Sequence, residues 1–534
     1  MTNTLLKASQ LTQRKMSLCV LALVLVMALS SSSAWAHAKL LRSLPQANAA
    51  LTQPPKTVEL WFSEELEQSA STIIVTDQNG RHLDKNNVSV GEEDKKLQID
   101  LEVLGTGTYK VEWKALSTDG HVMKGEFTFT VTLGPDVAAS TSPARQNEGS
   151  RERSEPTSSP SQRQMEMSSD SMQMSGISWT QNLVRWLQYL AMMMLFGGFG
   201  FHSLVLAPAL RRSRSLSEME RTAAMNLSAH RVVLFSWISL ALLVSVTFIA
   251  LILQASMIFD KSFVDALSPR LLNQVITTTG FGASWRLQVW AIGVLIIIVF
   301  YLSRRLKHEP SSEHRIWWWA CLAAGAVLLL APTWTGHAVV AAKQFPFAIG
   351  ADWLHLIGAG FWVGGLFHLA LTMPKAISIL DEHGRLRVLH RIISLFTRLA
   401  IVSTVVITLT GIYNSWMHVD RIGELWSTPY GETLLVKVLL VIPMIALGGL
   451  NTFILHPRAS RLLEKEESAL DVQSGKMRRS FYRSVIIEAA LGVFVLLAAA
   501  ILVFLQPARE HPVSNNSRSD SIIVALKLAD QRKE

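Results

Sequence analysis

Eight apolar segments, each long enough to cross a bilayer, follow residue 178 in a chain of 534 residues. They run over 179–206, 232–253, 284–302, 316–333, 350–373, 399–417, 433–455 and 484–505. Lipid offers the backbone no hydrogen-bond partners, so apolar runs of about 20 residues fold there as helices. Residues 179–505 are therefore expected to form an all-α polytopic membrane domain of about eight transmembrane helices. A composition of 49% hydrophobic and 17% charged residues agrees.

At the amino terminus, Lys7, Arg14 and Lys15 precede an apolar run over 16–29 and then Ala34-Trp35-Ala36. A basic start, a short apolar core and small residues at −3 and −1 make a signal peptide, 1–36, cleaved after Ala36. His37 then becomes the first residue and carries a free α-amine. With residues 37–133 exported, the connections 207–231, 303–315, 374–398 and 456–483 face the cytoplasm and hold 5, 4, 5 and 7 Lys or Arg. The three opposite connections hold 2, 1 and 1. This bias is the positive-inside pattern, and it agrees with export of the first domain. It predicts a multi-pass protein of the bacterial inner membrane, with the first domain and the tail 506–534 in the periplasm or outside. The formal charge of +9 is then loop charge facing the lipid bilayer, and no nucleic-acid partner is expected.

Only Cys19 and Cys321 occur, one inside the signal peptide and one inside a span. The exported domain thus has no disulfide and no thiolate for a metal. Any metal there must bind His, carboxylate or Met.

Residues 37–133 read as short strands. Tyr109, Val111 and Trp113 alternate with Lys110, Glu112 and Lys114, and Phe127, Phe129 and Val131 with Thr128 and Thr130. "KTVELWFS", "STIIVTDQNGRHL" and "KLQIDLEVL" add further strands, with a hairpin turn at Gln78-Asn79-Gly80. Short strands over this length predict an all-β, immunoglobulin-like sandwich. In "STDGHVMKGEF", Asp119 and His121 are two apart and project to one face of an extended backbone. Alone, that pair is an ordinary polar turn. Beside a processed amino terminus it becomes a ligand set. The α-amine and Nδ1 of His37 close one chelate ring, His121 adds a third nitrogen, and Asp119 adds a carboxylate. A planar set of this kind suits Cu(II) rather than tetrahedral Zn(II).

Residues 134–178 are rich in Ser, Pro, Gln and Arg and should form a flexible linker. Met165, Met167, Met172 and Met174 stand there without apolar neighbours. Thioethers are soft ligands, so these four are Cu(I) candidates, with compositional accident as the competing reading.

Ionisable groups inside spans are functional candidates. Lys437 and Glu488 lie at opposite faces of the membrane, so each needs another partner; Asn451 has a suitable depth for Glu488. In "GADWLHLIGAGFWVGGLFHLAL", Asp352 and His355 share a helix face, and the Asp is expected to orient the imidazole. His337 in "TWTGHAVV" falls at the same surface, and His368 lies deeper. Together they suggest a membrane path for copper. Gly358, Gly360, Gly364 and Gly365 offer small surfaces for close helix packing.

"HAKLLRSLPQANAAL…VELWFSEELE" with "STDGHVMKGEFTFTV" resembles the CopC family of periplasmic copper-binding proteins. The resemblance implies a Greek-key sandwich holding Cu(II) through His37, Asp119 and His121. It also marks Glu64 as a weaker, acidic neighbour of the site. "TGHA", "DWLHLIGAGFWVGGL", "LTGIYNSW" and "YGETLLVKVLLVIPMIALGGLN" resemble the CopD family of copper-resistance membrane proteins. A fusion of the two implies copper capture outside, transfer to the membrane domain, and copper resistance or uptake, with periplasmic copper donors as partners.

Three other readings compete. A histidine brace on a β-sandwich also serves copper oxygenases, but Asp119 would fill the position oxygen needs, so no enzyme is expected. A haem-binding redox protein would use His355 and His368, which are 13 apart. At 100° per residue they point about 220° apart, which disfavours stacked haems. A copper sensor or scaffold without transport is the third, yet no signalling domain is evident. No P-loop occurs either, which argues against ATP-driven pumping.

Overall fold

The computed structural model describes residues 40–63, 65–91, 94–118, 122–132, 179–213, 215–334, 347–455, 457, 470–505 and 507–508. The signal peptide and the linker fall outside the described residues, as does nearly all of the carboxy-terminal tail.

The first part is a sandwich of two four-stranded sheets. One holds β1 (Leu40–Leu44), β3 (Thr57–Phe62), β6 (Lys96–Asp100) and β5 (Ser89–Gly91) in that order. The other holds β2 (Ala50–Leu51), β8 (Val122–Val131), β7 (Gly107–Ser117) and β4 (Leu66–Thr76). The β2–β8 pairing is parallel, and the β7–β8 pairing is antiparallel. Alternation places Val58, Leu60 and Phe62 of β3 in the core while Glu59 and Trp61 turn outward. Phe62 meets Trp113 edge-on at 5.1 Å between ring centroids. Gly125 lies directly opposite Trp113 in the ladder, where a Cβ would come within 2.4 Å of the indole. Each such buried aromatic contributes roughly 1.5–3 kcal/mol relative to exposure. The turn at 77–80 forms, with Gly80 at φ 78°, but its return arm is a single bridge, Thr76–His82, rather than a strand.

Among the described residues, eight helices are long and apolar enough to cross a membrane. They are α1 (Trp179–Arg211), α2 (Glu218–Phe259), α4 (Gly280–Arg305), α5 (Arg315–Trp334), α6 (Ala348–Leu371), α7 (Glu382–His418), α8 (Pro429–Ile454) and α9 (Gly475–Leu502). A short helix, α3 (Pro269–Thr278), joins α2 to α4. Several helices outrun their apolar segments because local caps start them early. Ser217 and Glu220 form a reciprocal capping box before α2, and Asp381 accepts from the Gly384 amide before α7.

Glycines allow the closest crossing. In α6, a Cβ on Gly364 would stand 2.0 Å from the Met193 carbonyl oxygen of α1, and one on Gly360 2.5 Å from the Phe196 ring. Of the small residues read from the sequence, Gly360 and Gly364 form the contact of α6 with α1, while Gly358 and Gly365 meet Ile407 and Phe396 of α7. Residues 360–364 form a π-helical turn inside α6 at the contact with α1.

Candidate functional site

The candidate ligands His37, Glu64, Asp119 and His121 lie outside the described residues, as do His337 and the four linker methionines. The chain on either side of them is informative. Leu40 pairs with Phe62, bringing the start of β1 beside the end of β3. Thr118 donates through both its amide and its hydroxyl to the Glu65 carbonyl, at 2.9 and 3.1 Å. Leu116 pairs with Val122 across the β7–β8 ladder. The segments leading to His37, Glu64 and the Asp119–His121 pair therefore converge on one end of the sandwich.

That end is docked on the membrane domain. Leu116 and Val122 pack with Leu251, Ile252, Ala255 and Ile258 of α2 and with Val275 of α3. Asp260 caps the end of α2 in a left-handed conformation and receives both Lys114, at 3.2 Å, and Lys124. Glu67 Oε1 accepts from the Gly280 amide at 2.7 Å. That amide is one of the unpaired donors at the start of α4, where a carboxylate also meets the positive end of the helix dipole. Burial raises the pKa of Asp260, but hydrogen bonds from Lys124 and Lys114 outweigh it and leave the carboxyl below its ordinary range. Lys114 is lowered, because its burial outweighs its Asp260 partner. The two directions are compatible, since the Lys114 side chain is 16% exposed and that of Asp260 54%.

The amino-terminal end of α6 faces the same side of the membrane domain as Asp260, by the alternation of the helices. His355 Nδ1 lies 3.0 Å from Thr410 Oγ1 of α7. The Thr410 hydroxyl proton goes to the Val406 carbonyl at 2.7 Å, so Thr410 accepts from Nδ1–H and the Nε2 lone pair is left to accept or to coordinate. Thr410 and the Ile407 carbonyl, both of α7, therefore orient this ring, where the sequence pointed to Asp352. Asp352 instead faces Asn414, one turn along α7, at 3.5 Å, and interacts electrostatically with Lys437 of α8. Lys437 thus has its partner near the amino-terminal end of α6, away from Glu488.

His368, expected to continue a copper path, has both ring nitrogens within hydrogen-bond distance of protein groups. Its Nε2 lies 2.9 Å from the Met194 carbonyl and its Nδ1 2.9 Å from Thr372 Oγ1. A carbonyl only accepts, so Nε2 carries the proton and Nδ1 takes the hydroxyl. Neither nitrogen is left for a metal. His355 turns to α7 and His368 to α1, so the two do face different helices. Glu488 of α9 does meet Asn451, at 2.6 Å. Sequence reasoning missed His202, buried between Ser228 at 3.0 Å and Ser311 at 3.4 Å; its place within a span was the available signal. Among the described residues, no three of His, Cys, Asp and Glu gather at metal-binding distance.

The fold defines a multi-pass membrane protein carrying a β-sandwich docked at one face. Three family models match it: "CopC domain" over 40–132, "Copper resistance protein D-like, N-terminal domain" over 174–344, and "Copper resistance protein D" over 390–502. Asp352, His355 and His368 fall between the last two ranges. The chain is 24% identical over 513 residues to the copper transport protein CutJ of Bacillus subtilis, covering 95% of this chain and 82% of that one. It is 29% identical over 329 residues to copper resistance protein D of Pseudomonas syringae pv. tomato, covering 60% of this chain and 95% of that one. Protein YobA of Escherichia coli is 37% identical over 110 residues, covering 20% of this chain and 89% of that protein. The chain belongs to the copper resistance family, as a CopC domain followed by a CopD-type membrane domain.

Proposed function

We propose that this chain captures copper outside the cell membrane and passes it through its membrane domain, in copper resistance or uptake. The observation that carries the reading is the docking geometry. The sandwich end toward which the candidate ligand segments converge is packed on α2, α3 and the start of α4. This packing supports a reading in which capture and entry share one face.

In this reading signal cleavage exposes His37, and His37, Asp119 and His121 bind Cu(II), with Glu64 as an acidic neighbour. The exported domain and the tail lie in the periplasm, and the bilayer is the inner membrane. His355, with its free Nε2, is the outer entry ligand, assisted by Asp352 and His337. The linker methionines hold Cu(I) in transit, provided an electron donor reduces the captured Cu(II). The role is binding and transport, not catalysis.

The test is Cu(II) titration of the purified, processed full chain followed by electron paramagnetic resonance. The expected spectrum is tetragonal with nitrogen ligands and disappears in His37→Ala and His121→Ala. An unchanged spectrum in both variants would remove the brace from the account.

A further inference from the structure

We propose that Glu488 is a proton-binding site of the membrane domain, which holds its proton near neutral pH and releases it during copper transport. The proposal rests on the transport reading for its role, though not for its protonation. Glu488 is 2% exposed and borders a cleft of about 300 Å³ between α6, α7, α8 and α9. The cleft opens sideways past Ile401, Val405, Ile445 and Phe453, all well exposed. Glu488 is the one ionisable group among the residues lining it. The elements packed around it carry Lys437 on α8, His368 on α6 and Arg185 and Tyr189 on α1, while α7 carries His390, Arg391 and Arg398. None of these lines the cleft. An ionised carboxylate at membrane depth without a facing cation is strongly disfavoured, and the group keeps its proton instead.

The partners fit that state. Asn451 and Glu488 Oε1 are 2.6 Å apart, closer than an amide donor usually comes and within the range of an O–H···O bond. As placed, Asn451 Oδ1 is buried without a partner. Turning the amide over, which leaves its shape unchanged, lets the Glu488 O–H donate to Asn451 Oδ1. After ionisation the amide turns back and donates Nδ2–H to the carboxylate, joined by the Ser484 hydroxyl at 3.3 Å. Asn451 thereby serves both protonation states. It opens a π-helical turn, Asn451–Leu455, a device frequent at functional sites.

The step is a simple proton transfer. The Glu488 O–H bond breaks, the proton goes to a water molecule, and the carboxylate keeps the electron pair. A chain without a nucleotide-binding motif needs an ion gradient to move a cation uphill, and this site supplies a coupling point.

Infrared difference spectra of the full chain in detergent, titrated through neutral pH, test the protonation directly. The expected result is a protonated carboxyl C=O band that is lost in Glu488→Gln and shifted in Glu488→Asp. In proteoliposomes, copper movement by the wild-type chain should respond to an imposed pH gradient, and Glu488→Gln should lose that response while unfolding at the wild-type temperature. The same band and the same gradient response in Glu488→Gln would overturn the proposal. A wild-type chain that moves no copper, yet shows the band, would instead overturn the coupling and the transport reading while leaving the proton site.

Discussion

Nδ1 of His355 lies 3.0 Å from Oγ1 of Thr410, and this contact leaves the opposite ring nitrogen with a free lone pair. Helix α7 thus sets which nitrogen of His355 would meet copper under the proposed entry role. Thr410→Val keeps the shape but removes the acceptor, so it should weaken copper-dependent growth as His355→Ala does. Thr410→Ser should retain it. Losing the contact costs about 0.5–1.5 kcal/mol, so expression and thermal stability should change little.

The sandwich should be locatable on the membrane domain by cross-linking. Lys124 contacts Asp260, and the only native cysteines are Cys19 and the buried Cys321. A Lys124→Cys/Asp260→Cys chain is expected to be joined by a short bismaleimide cross-linker, read as a mobility shift on a gel. A Lys85→Cys/Asp260→Cys chain should not. Asp260→Asn alone should loosen the docking only modestly, since half-exposed ion pairs contribute about 0.2–1 kcal/mol each.

Two pH effects should separate. Asp260 has a folded pKa below its ordinary 3.8, so its contribution to docking is complete above that value and is lost as pH falls through the lower, folded value. Copper release from a His and amine site comes earlier, as those groups protonate nearer neutrality. On acidification, the copper spectrum should therefore disappear before fluorescence between domains reports undocking.

Gly364→Ala should abolish the folded membrane domain, because its Cβ would fall 2.0 Å from the Met193 backbone oxygen, which cannot step aside. Gly198→Ala should be milder, since its Cβ would displace the His368 ring by contact at 2.5 Å and break the bond to Met194, at about 1–3 kcal/mol. Gly293→Ala meets nothing within 4 Å and should be neutral or slightly stabilising. Thermal unfolding in detergent ranks the three.

The strands and spans were legible because burial imposes a period on the sequence, as at Val58, Leu60 and Phe62, and because lipid demands length. Gly360 and Gly364 were legible as packing residues for the same reason, and the Asn451–Glu488 pair followed from depth alone. The partner of His355 was not. Choosing Thr410 over Asp352 depends on how α6 and α7 rotate against each other, which a helical wheel of α6 does not contain. The π turn at 360–364 and the two spent nitrogens of His368 are likewise set by the approach of α1. The helix starts at Glu218 and Glu382 are encoded by Ser217-x-x-Glu220 and Asp381, ahead of the apolar segments that follow them.

Movement of radioactive copper across the membrane, in both directions, is the decisive measurement of transport by this chain. Cells with the wild-type chain, with His355→Ala and with no chain should be compared at matched expression. The account predicts that the wild-type chain changes the copper flux, and that His355→Ala returns it to the level without the chain while the sandwich still binds Cu(II). Equal flux in all three would contradict it.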